Sequence, residues 1–154
     1  MLNEFAIIVD TREQKPFTFH KISPRPKTIR KTLKTGDYSL NGHENRICIE
    51  RKSLSDLYGS FGKGRKRFEK ECQRMLLFDY AAIVCEADWN TILRCPPSRS
   101  KLLPKSLFSS IVAWSQRYNI HFIPSPNRIF AERITHRLIE RFYRDLQAGV
   151  YRHV

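Results

Sequence analysis

A mixed α/β sandwich, with a central sheet flanked by helices, is the fold class that this sequence predicts. Two observations carry it. Short apolar runs of strand length alternate with longer stretches whose apolar residues recur every three or four positions, and one pair of short runs is separated by a polar, glycine-bearing segment. Strands alternating with helices build a sheet covered on both faces, and a hairpin makes that sheet mixed rather than wholly parallel. At 154 residues the chain reads as one domain over residues 1–154, long enough to bury a core. It shows no internal repeat.

Residues 5–9 are fully apolar and end at Asp10, the pattern of a buried strand. Thr11, Arg12 and Glu13 follow at the strand's end. Pro16, Pro24 and Pro26 make residues 14–28 a loop with at most one extended piece. Residues 28–35 fit a short basic helix and an edge strand equally well. Residues 38–40 and 46–50 read as the two strands of a hairpin around residues 41–45. Its register decides a great deal. A tight turn at Asn41 and Gly42 sets Asp37 opposite Arg46. A five-residue loop sets Asp37 opposite Ile49 or Glu50 and brings two carboxylates together, and this second register is the expectation.

Ser53 has the position of an N-cap, with Asp56 three residues later in the manner of a capping box, for a helix to about residue 60. Gly62 and Gly64 then punctuate. Phe68, Cys72, Met75 and Leu76 form one stripe of a helix over residues 65–78. Residues 80–85 are a second buried strand, and Asp88 caps a short helix to residue 93. Residues 95–101 are a loop of proline, serine and basic residues. Pro104 suits the first turn of a helix to about residue 118 that buries Leu107, Ile111 and Trp114. Residues 119–123 form a last strand. The final helix starts near Asn127, with Phe130, Ile134, Leu138 and Phe142 as its apolar row and Arg133, Arg137, Arg141 and Arg144 opposite.

Charge narrows the partners. Lys and Arg number 28 against 15 Asp and Glu, a net +13 with a pI near 10.0. Such an excess favours a polyanion, either nucleic acid or an anionic membrane surface. No apolar stretch approaches the roughly 20 residues that span a bilayer, and residues 1–4 lack the basic region of a signal peptide. Nucleic acid is therefore the expected partner, without a membrane, and the expected location is cytoplasmic, nucleoid-associated in a bacterial setting. Cys48, Cys72 and Cys85 fall on apolar patterns and Cys95 on a loop, with no CxxC pair; buried free thiols fit a reducing compartment. The histidines have no zinc-ligand spacing.

The chemistry concentrates at Glu50-Arg51-Lys52. Side chains alternate along a strand, so Glu50 and Lys52 share one face while Arg51 points to the other. An exposed carboxylate–ammonium pair alone contributes only about 0–1 kcal/mol. Asp37 on the paired strand changes its meaning, because two neighbouring carboxylates raise each other's proton affinity unless a cation is shared between them. Mg²⁺ or Mn²⁺ suits such an all-oxygen site. It would activate a bound water and neutralise charge on a phosphoryl oxygen, with Lys52 to orient that water or stabilise the transition state.

Asp37, then Glu50-Arg51-Lys52, then Asp56 resemble the GDX(n)ERKX(3)D signature of the XPF-type structure-specific nucleases. Val9-Asp10-Thr11-Arg12-Glu13 is similar to that family's VDxRE segment, and Gly64-Arg65 to its GR step. The resemblance covers residues 9 to about 76. It implies a restriction-endonuclease-like PD-(D/E)XK fold, a divalent metal, and endonucleolytic cleavage of branched, flap or fork DNA to leave a 5′ phosphate, with a homodimer as one assembly open to it. Carried over by position, Asp37 and Glu50 hold the metal and Lys52 is the catalytic lysine. Arg51 and Asp56 support the site, while Asp10, Arg12 and Glu13 line its other wall. Glu69 stands where relatives carry Gln, either as a carboxylate for the metal or as a cap on local charge. No helix-hairpin-helix segment follows the signature before Val154, which sets the expectation of a stand-alone, bacterial or phage-like form. Lys63, Arg65, Lys66, Arg67 and Lys70 at a glycine-flanked helix start suit a phosphate backbone, with Arg99 and Lys101 as a lesser group. The competing reading is a nuclease-like DNA-binding module or junction scaffold that needs a partner for cleavage.

Overall fold

A computed structural model of the chain describes residues 4–151. Its strands are β1 (Ala6–Val9), β2 (Lys27–Arg30), β3 (Tyr38–Leu40), β4 (Ile47–Lys52), β5 (Tyr80–Cys85) and β6 (His121–Pro124). The helices are α1 (Leu54–Phe61), α2 (Arg65–Met75), α3 (Trp89–Arg94), α4 (Pro104–Arg117) and α5 (Arg128–Gln147). One six-stranded sheet runs β2-β1-β3-β4-β5-β6. The β1–β3 and β3–β4 pairs are antiparallel, and the β1–β2, β4–β5 and β5–β6 pairs are parallel. The predicted mixed α/β sandwich is the observed architecture. Among the described residues, no helix is long and apolar enough to cross a membrane.

Period-two alternation divides the central strands between two cores. Cys48, Ala81, Ile83 and Cys85 pack with residues of α1 to α4, whereas Ile7, Val9, Tyr38, Leu40, Ile47, Ile49, Ala82 and Val84 pack with α5. Burial on both faces is why β5 reads as an unbroken apolar run rather than an alternating one. Trp114, buried between Phe61 and Phe68, belongs to the first core. The proline-bearing segment after β1 is no passive loop. Its Phe17 stacks on Tyr38 with ring centroids 5.3 Å apart, and the Phe17 backbone N–H donates to the Tyr38 hydroxyl at 2.8 Å.

Local signals fix most boundaries. Ser53, Asp88 and Asn127 each accept a backbone N–H with the side chain, from Asp56, Thr91 and Phe130, so all three N-caps stand where the sequence places them. Residues 28–35, which fit two structures by pattern, supply part of edge strand β2. Two helical details differ from expectation. The α2 helix stops at Met75, and Leu76 and Leu77 stand 48% and 84% exposed in the turn that follows. On α5 the buried row is Ala131, Thr135, Ile139, Phe142 and Leu146, while Phe130 is exposed. A strict four-residue repeat drifts by about 40° per step on a helix of 3.6 residues per turn, so the row starts outside the core at Phe130 and enters it only by Phe142.

The hairpin closes in the register that matters. Tyr38 pairs with Ile49, and the Asp37 N–H donates to the Ile49 carbonyl at 2.9 Å. Two successive turns, His43 N–H to Leu40 O and Arg46 N–H to His43 O, each 2.9 Å, replace the tight Asn41–Gly42 turn. Gly36 makes the approach possible. It sits at φ +83°, and a Cβ there would lie 2.5 Å from Cys48 Sγ and 3.3 Å from the Ile49 carbonyl. Left-handed backbone and steric overlap act together, so Gly36→Ala is expected to destabilise the fold by roughly 2–4 kcal/mol. Urea unfolding checks this, and an unchanged midpoint would remove the close approach as a constraint.

Candidate active site

Strand alternation puts Glu50 and Lys52 on the α1–α4 face and Arg51 on the α5 face. Glu50 is buried, its Oε1 lies 3.2 Å from Lys52 Nζ, and that ammonium stands 4.6 Å from the centre of the Phe68 ring. Asp37 reaches the same place from β3. Its Oδ2 accepts the Arg51 backbone N–H at 2.8 Å, which ties the carboxylate to β4 one residue from Glu50. A third acid comes from α2: Glu71 Oε1 accepts the Gly36 N–H at 3.3 Å. Its charge also acts on Glu50, Asp37 and Lys52.

Electrostatics in this group follow from burial and like charge. Burial, reinforced by Glu13, pushes the Asp37 carboxyl from 3.8 up to about 7, although the Arg51 N–H and Lys52 pull it down. Burial, then the charges of Asp37 and Glu71, raise Glu50 well above the ordinary carboxylate range against the pull of Lys52. Burial opposes the charge on Lys52, but the carboxylate of Glu50, with Glu71 and Asp37 behind it, more than offsets that and keeps the ammonium protonated. Three carboxylates facing one ammonium would, when all are ionised, leave two negative charges uncompensated. That is the charge of one divalent cation.

The donor chemistry fits such an ion. Mg²⁺ and Mn²⁺ take oxygen ligands, and Mg²⁺ in particular is held through one or two carboxylates while keeping several waters. Asp37 and Glu50 are two carboxylates of that kind. Glu71 adds a third negative charge beside them.

Behind the site, the α5 face holds a chain of ion pairs. Arg51 Nε and Nη2 donate to both oxygens of Glu13 at 2.8 and 2.6 Å, and its Nη1 donates to Glu86 at 2.5 Å. Arg128, at the start of α5, donates to the other Glu86 oxygen at 3.0 Å and to the Lys15 carbonyl at 2.6 Å, with its guanidinium over Phe17. Asp10 does not point into open space. It is buried and accepts the Leu33 N–H at 2.9 Å and Arg12 Nε at 3.0 Å, while Arg12 donates to the Leu33 carbonyl. Asp10 and Arg12 thus pin residues 31–35, the segment that delivers Gly36 and Asp37.

A cleft opens from Lys52 and Glu71 toward α1 and the start of α2, lined by Ser55, Asp56, Lys63 and Arg67. Asp56 is exposed at its rim. Lys63 also borders a neighbouring groove that carries Arg99 and Lys101. Lys66 and Lys70 are exposed beside these positions on α2. Arg65 departs from the set: its guanidinium packs 4.6 Å over Trp114 and bonds Ser110 Oγ at 2.8 Å and the Phe61 carbonyl, joining α2 to α4.

Of the two places open to Glu69, beside the acids or beside local cations, it takes the second. It accepts the Tyr118 hydroxyl at 2.6 Å and lies 3.8 Å from Arg117, away from the acids. Glu71 takes the position beside them. A helical signal for it exists: Glu71 is about 60° around the helix from buried Phe68, whereas Glu69 is about 100° away on the other side. Glu86 and Arg128 carry no comparable signal, because their pairing with Arg51 arises only in three dimensions.

The sequence matches the ERCC4 domain over residues 9–138. No curated protein matches it. Among solved structures, it is similar to XPF from Aeropyrum pernix, with a TM-score of 0.71 at 23% identity over 93% of this chain and 67% of that one. Against XPF from Aeropyrum pernix in complex with DNA, the TM-score is 0.70 at 23% identity over 92% of this chain and 66% of the other. The chain spans about two thirds of the length of these structures, and the likeness at this identity is one of fold.

The raised Asp37 carboxyl has a consequence for stability. An acid whose proton affinity is higher folded than unfolded costs stability as pH rises from 3.8 to about 7. In metal-free protein, Asp37→Asn is therefore expected to stabilise by roughly 1–3 kcal/mol above pH 7, with no gain near pH 4. Thermal unfolding in chelator across that range reads it, and a pH-independent difference would contradict the charge cluster.

Proposed function

The chain belongs to the ERCC4 domain family of XPF-type nucleases, and from that premise we propose that it is a divalent-metal-dependent endonuclease that hydrolyses phosphodiester bonds in branched, flap or fork DNA. The observation that carries the proposal is the convergence of Asp37, Glu50, Glu71 and Lys52, of which Lys52 and Glu71 line a cleft that also carries Lys63 and Arg67.

Each residue then has a task. Asp37 and Glu50 hold the cation, which when bound supplies an activated water and neutralises charge on the phosphoryl oxygens. Lys52 stays protonated beside Glu50. Its Nζ orients the attacking water or donates to the phosphoryl oxygen that gains charge in the transition state. Arg51 acts through Asp37: its side chain is fixed by Glu13 and Glu86, so its backbone N–H fixes the carboxylate. Lys63 and Arg67 at the rim receive the phosphate backbone, with Lys66, Lys70, Arg99 and Lys101 extending that contact. Asp56, at the mouth, sets the charge seen by an entering phosphate.

Cleavage assays with flap, fork and linear duplexes in Mg²⁺ and in Mn²⁺ test the reading. Lys52→Ala and Asp37→Ala are expected to lower cleavage by at least about 10²-fold while DNA binding persists. Glu71→Gln is expected to shift the metal concentration required. Binding without cleavage of any substrate by the unaltered chain would favour the nuclease-like module that needs a partner.

A homodimer is part of the same proposal. Phe108 and Val112 expose apolar side chains on α4, next to Trp89, Phe122 and the outer edge of β6. A second copy covering this surface would bury apolar area and an open strand edge. Light scattering is expected to give the mass of two chains, reduced to one by Val112→Asp; one chain without the substitution would rule it out.

A further inference from the structure

A second concentration of positive charge lies well away from the cleft. Residues 21–27 and α5 enclose a groove of about 730 Å³ whose walls carry Lys21, Arg25, Lys27, Arg133, Arg137 and Arg144. Its acids are Glu4 and Glu140. Glu140 is paired with Arg144 at 2.8 Å, and Glu4 lies 3.8 Å from Lys27. Arg25 donates to the Thr18 carbonyl through Nε and Nη2, which presents its guanidinium in a fixed orientation. Among the described residues, Lys21, Arg133 and Arg137 have no carboxylate within ion-pair distance. Arg141, by contrast, lies outside the groove and is paired with Asp145 at 2.9 Å.

The position excludes a shared contact with the cleft. β1 and β4 run in the same direction, since each is antiparallel to β3. The groove touches Phe5 and Lys27, at the starts of β1 and β2, on the α5 side of the sheet. The acids lie beyond the far end of β1, on the opposite face. Five residues of strand separate Phe5 from Asp10, about 17 Å, with the sheet between.

We infer that this groove is a second nucleic-acid backbone site, holding a segment of substrate other than the one in the cleavage cleft. Three observations select nucleic acid. Unpaired guanidinium and ammonium groups line both walls, as a polyanion requires. Arg133 and Arg137 are one helical turn apart, about 6 Å. From Arg133 to Arg144 the wall extends about 16 Å along α5, the axial rise of about five nucleotides of one strand. A branched DNA suits two sites on opposite faces, since one arm can enter the cleft while another follows α5. The inference thus rests on the proposed DNA substrate and adds where a further arm is held.

Fluorescence anisotropy with a labelled fork, in chelator so that no metal-dependent cleavage intervenes, tests it over a series of salt concentrations. The triple variant Lys21→Ala, Arg133→Ala, Arg137→Ala is expected to flatten the slope of log affinity against log salt by about 2–3 and to weaken fork binding at least tenfold. Arg141→Ala should leave both unchanged. A triple variant that melts like the unaltered chain yet keeps its slope would overturn the second site. Inorganic phosphate that binds the groove while fork affinity is unaltered by the triple variant would also overturn it, reassigning the groove to a free anion. If the unaltered chain binds no DNA at all, the proposed function fails together with this inference; a fork held tightly but indifferently to the triple variant sinks the groove alone.

Discussion

Arg51 links the two faces of the sheet through a single residue. Its guanidinium, on the α5 face, is held by both oxygens of Glu13 and one of Glu86, while its backbone N–H donates to Asp37 on the other face. Glu13 follows β1, Glu86 follows β5, and Arg128 joins Glu86 to the start of α5. Two segments distant in sequence therefore converge on one side chain, and a third joins them through Glu86. The guanidinium fork matches carboxylate geometry in two parallel bonds, which a lysine at this position would not reproduce. With side-chain exposures of 9%, 5% and 10% for Arg51, Glu13 and Glu86, the group is desolvated. Its net worth relative to an apolar packing is small, but loss of Arg51 alone would strand the buried Glu13 carboxylate, with Glu86 left to Arg128, at a cost of about 3–5 kcal/mol. Scaffold and site share this constraint.

The opposite face shows the complementary imbalance. There the acids outnumber the cations, and Asp37 and Glu50 hold their protons more tightly than carboxylates in water do. Sites of this kind are kept at the expense of the apoprotein's stability, because function needs charges that folding would rather neutralise. What permits it here is a rigid frame. β4 pairs along its whole length with β5, the Asp37 backbone is bonded to Ile49, and Asp10 with Arg12 anchors the segment that leads into Gly36. The repulsion among acids cannot relax by moving a strand, so it is expressed as proton affinity or as affinity for a cation.

Much of this arrangement is legible in the sequence, and what is not has physical reasons. The fold class follows from alternating periodicities, the caps at Ser53, Asp88 and Asn127 from side-chain chemistry, and the division of Glu50 and Lys52 from Arg51 from strand alternation. Register is the harder case. Two turns are compatible with residues 41–45, and both put Tyr38 and Leu40 on the face of Ile47 and Ile49; only the observed one sets Tyr38 directly against Ile49. Edge strand β2 stays one of two readings in the sequence because its mostly exposed residues lack an apolar pattern. Glu71, about 60° around α2 from buried Phe68, is the α2 acid that helical angle turns toward Gly36 and Asp37. The partners of Arg51 were beyond reach, because pairing across 38 and 35 residues leaves no trace in local spacing.

These points make the hairpin more than a connection. A shift of one residue in the β3–β4 pairing would turn the Asp37 side chain to the α5 face, where it would meet Tyr38's neighbours and the Arg51 cluster instead of Glu50. A glycine at φ +83° opposing such a slip, with Cys48 Sγ filling the space its Cβ would occupy, acts as a register pin. Its N–H also reaches Glu71 on α2. One residue without a side chain thus aligns two strands, admits the α2 acid and aims Asp37. The glycine and the aspartate of the signature are a single device: the first supplies the backbone conformation that gives the second its direction.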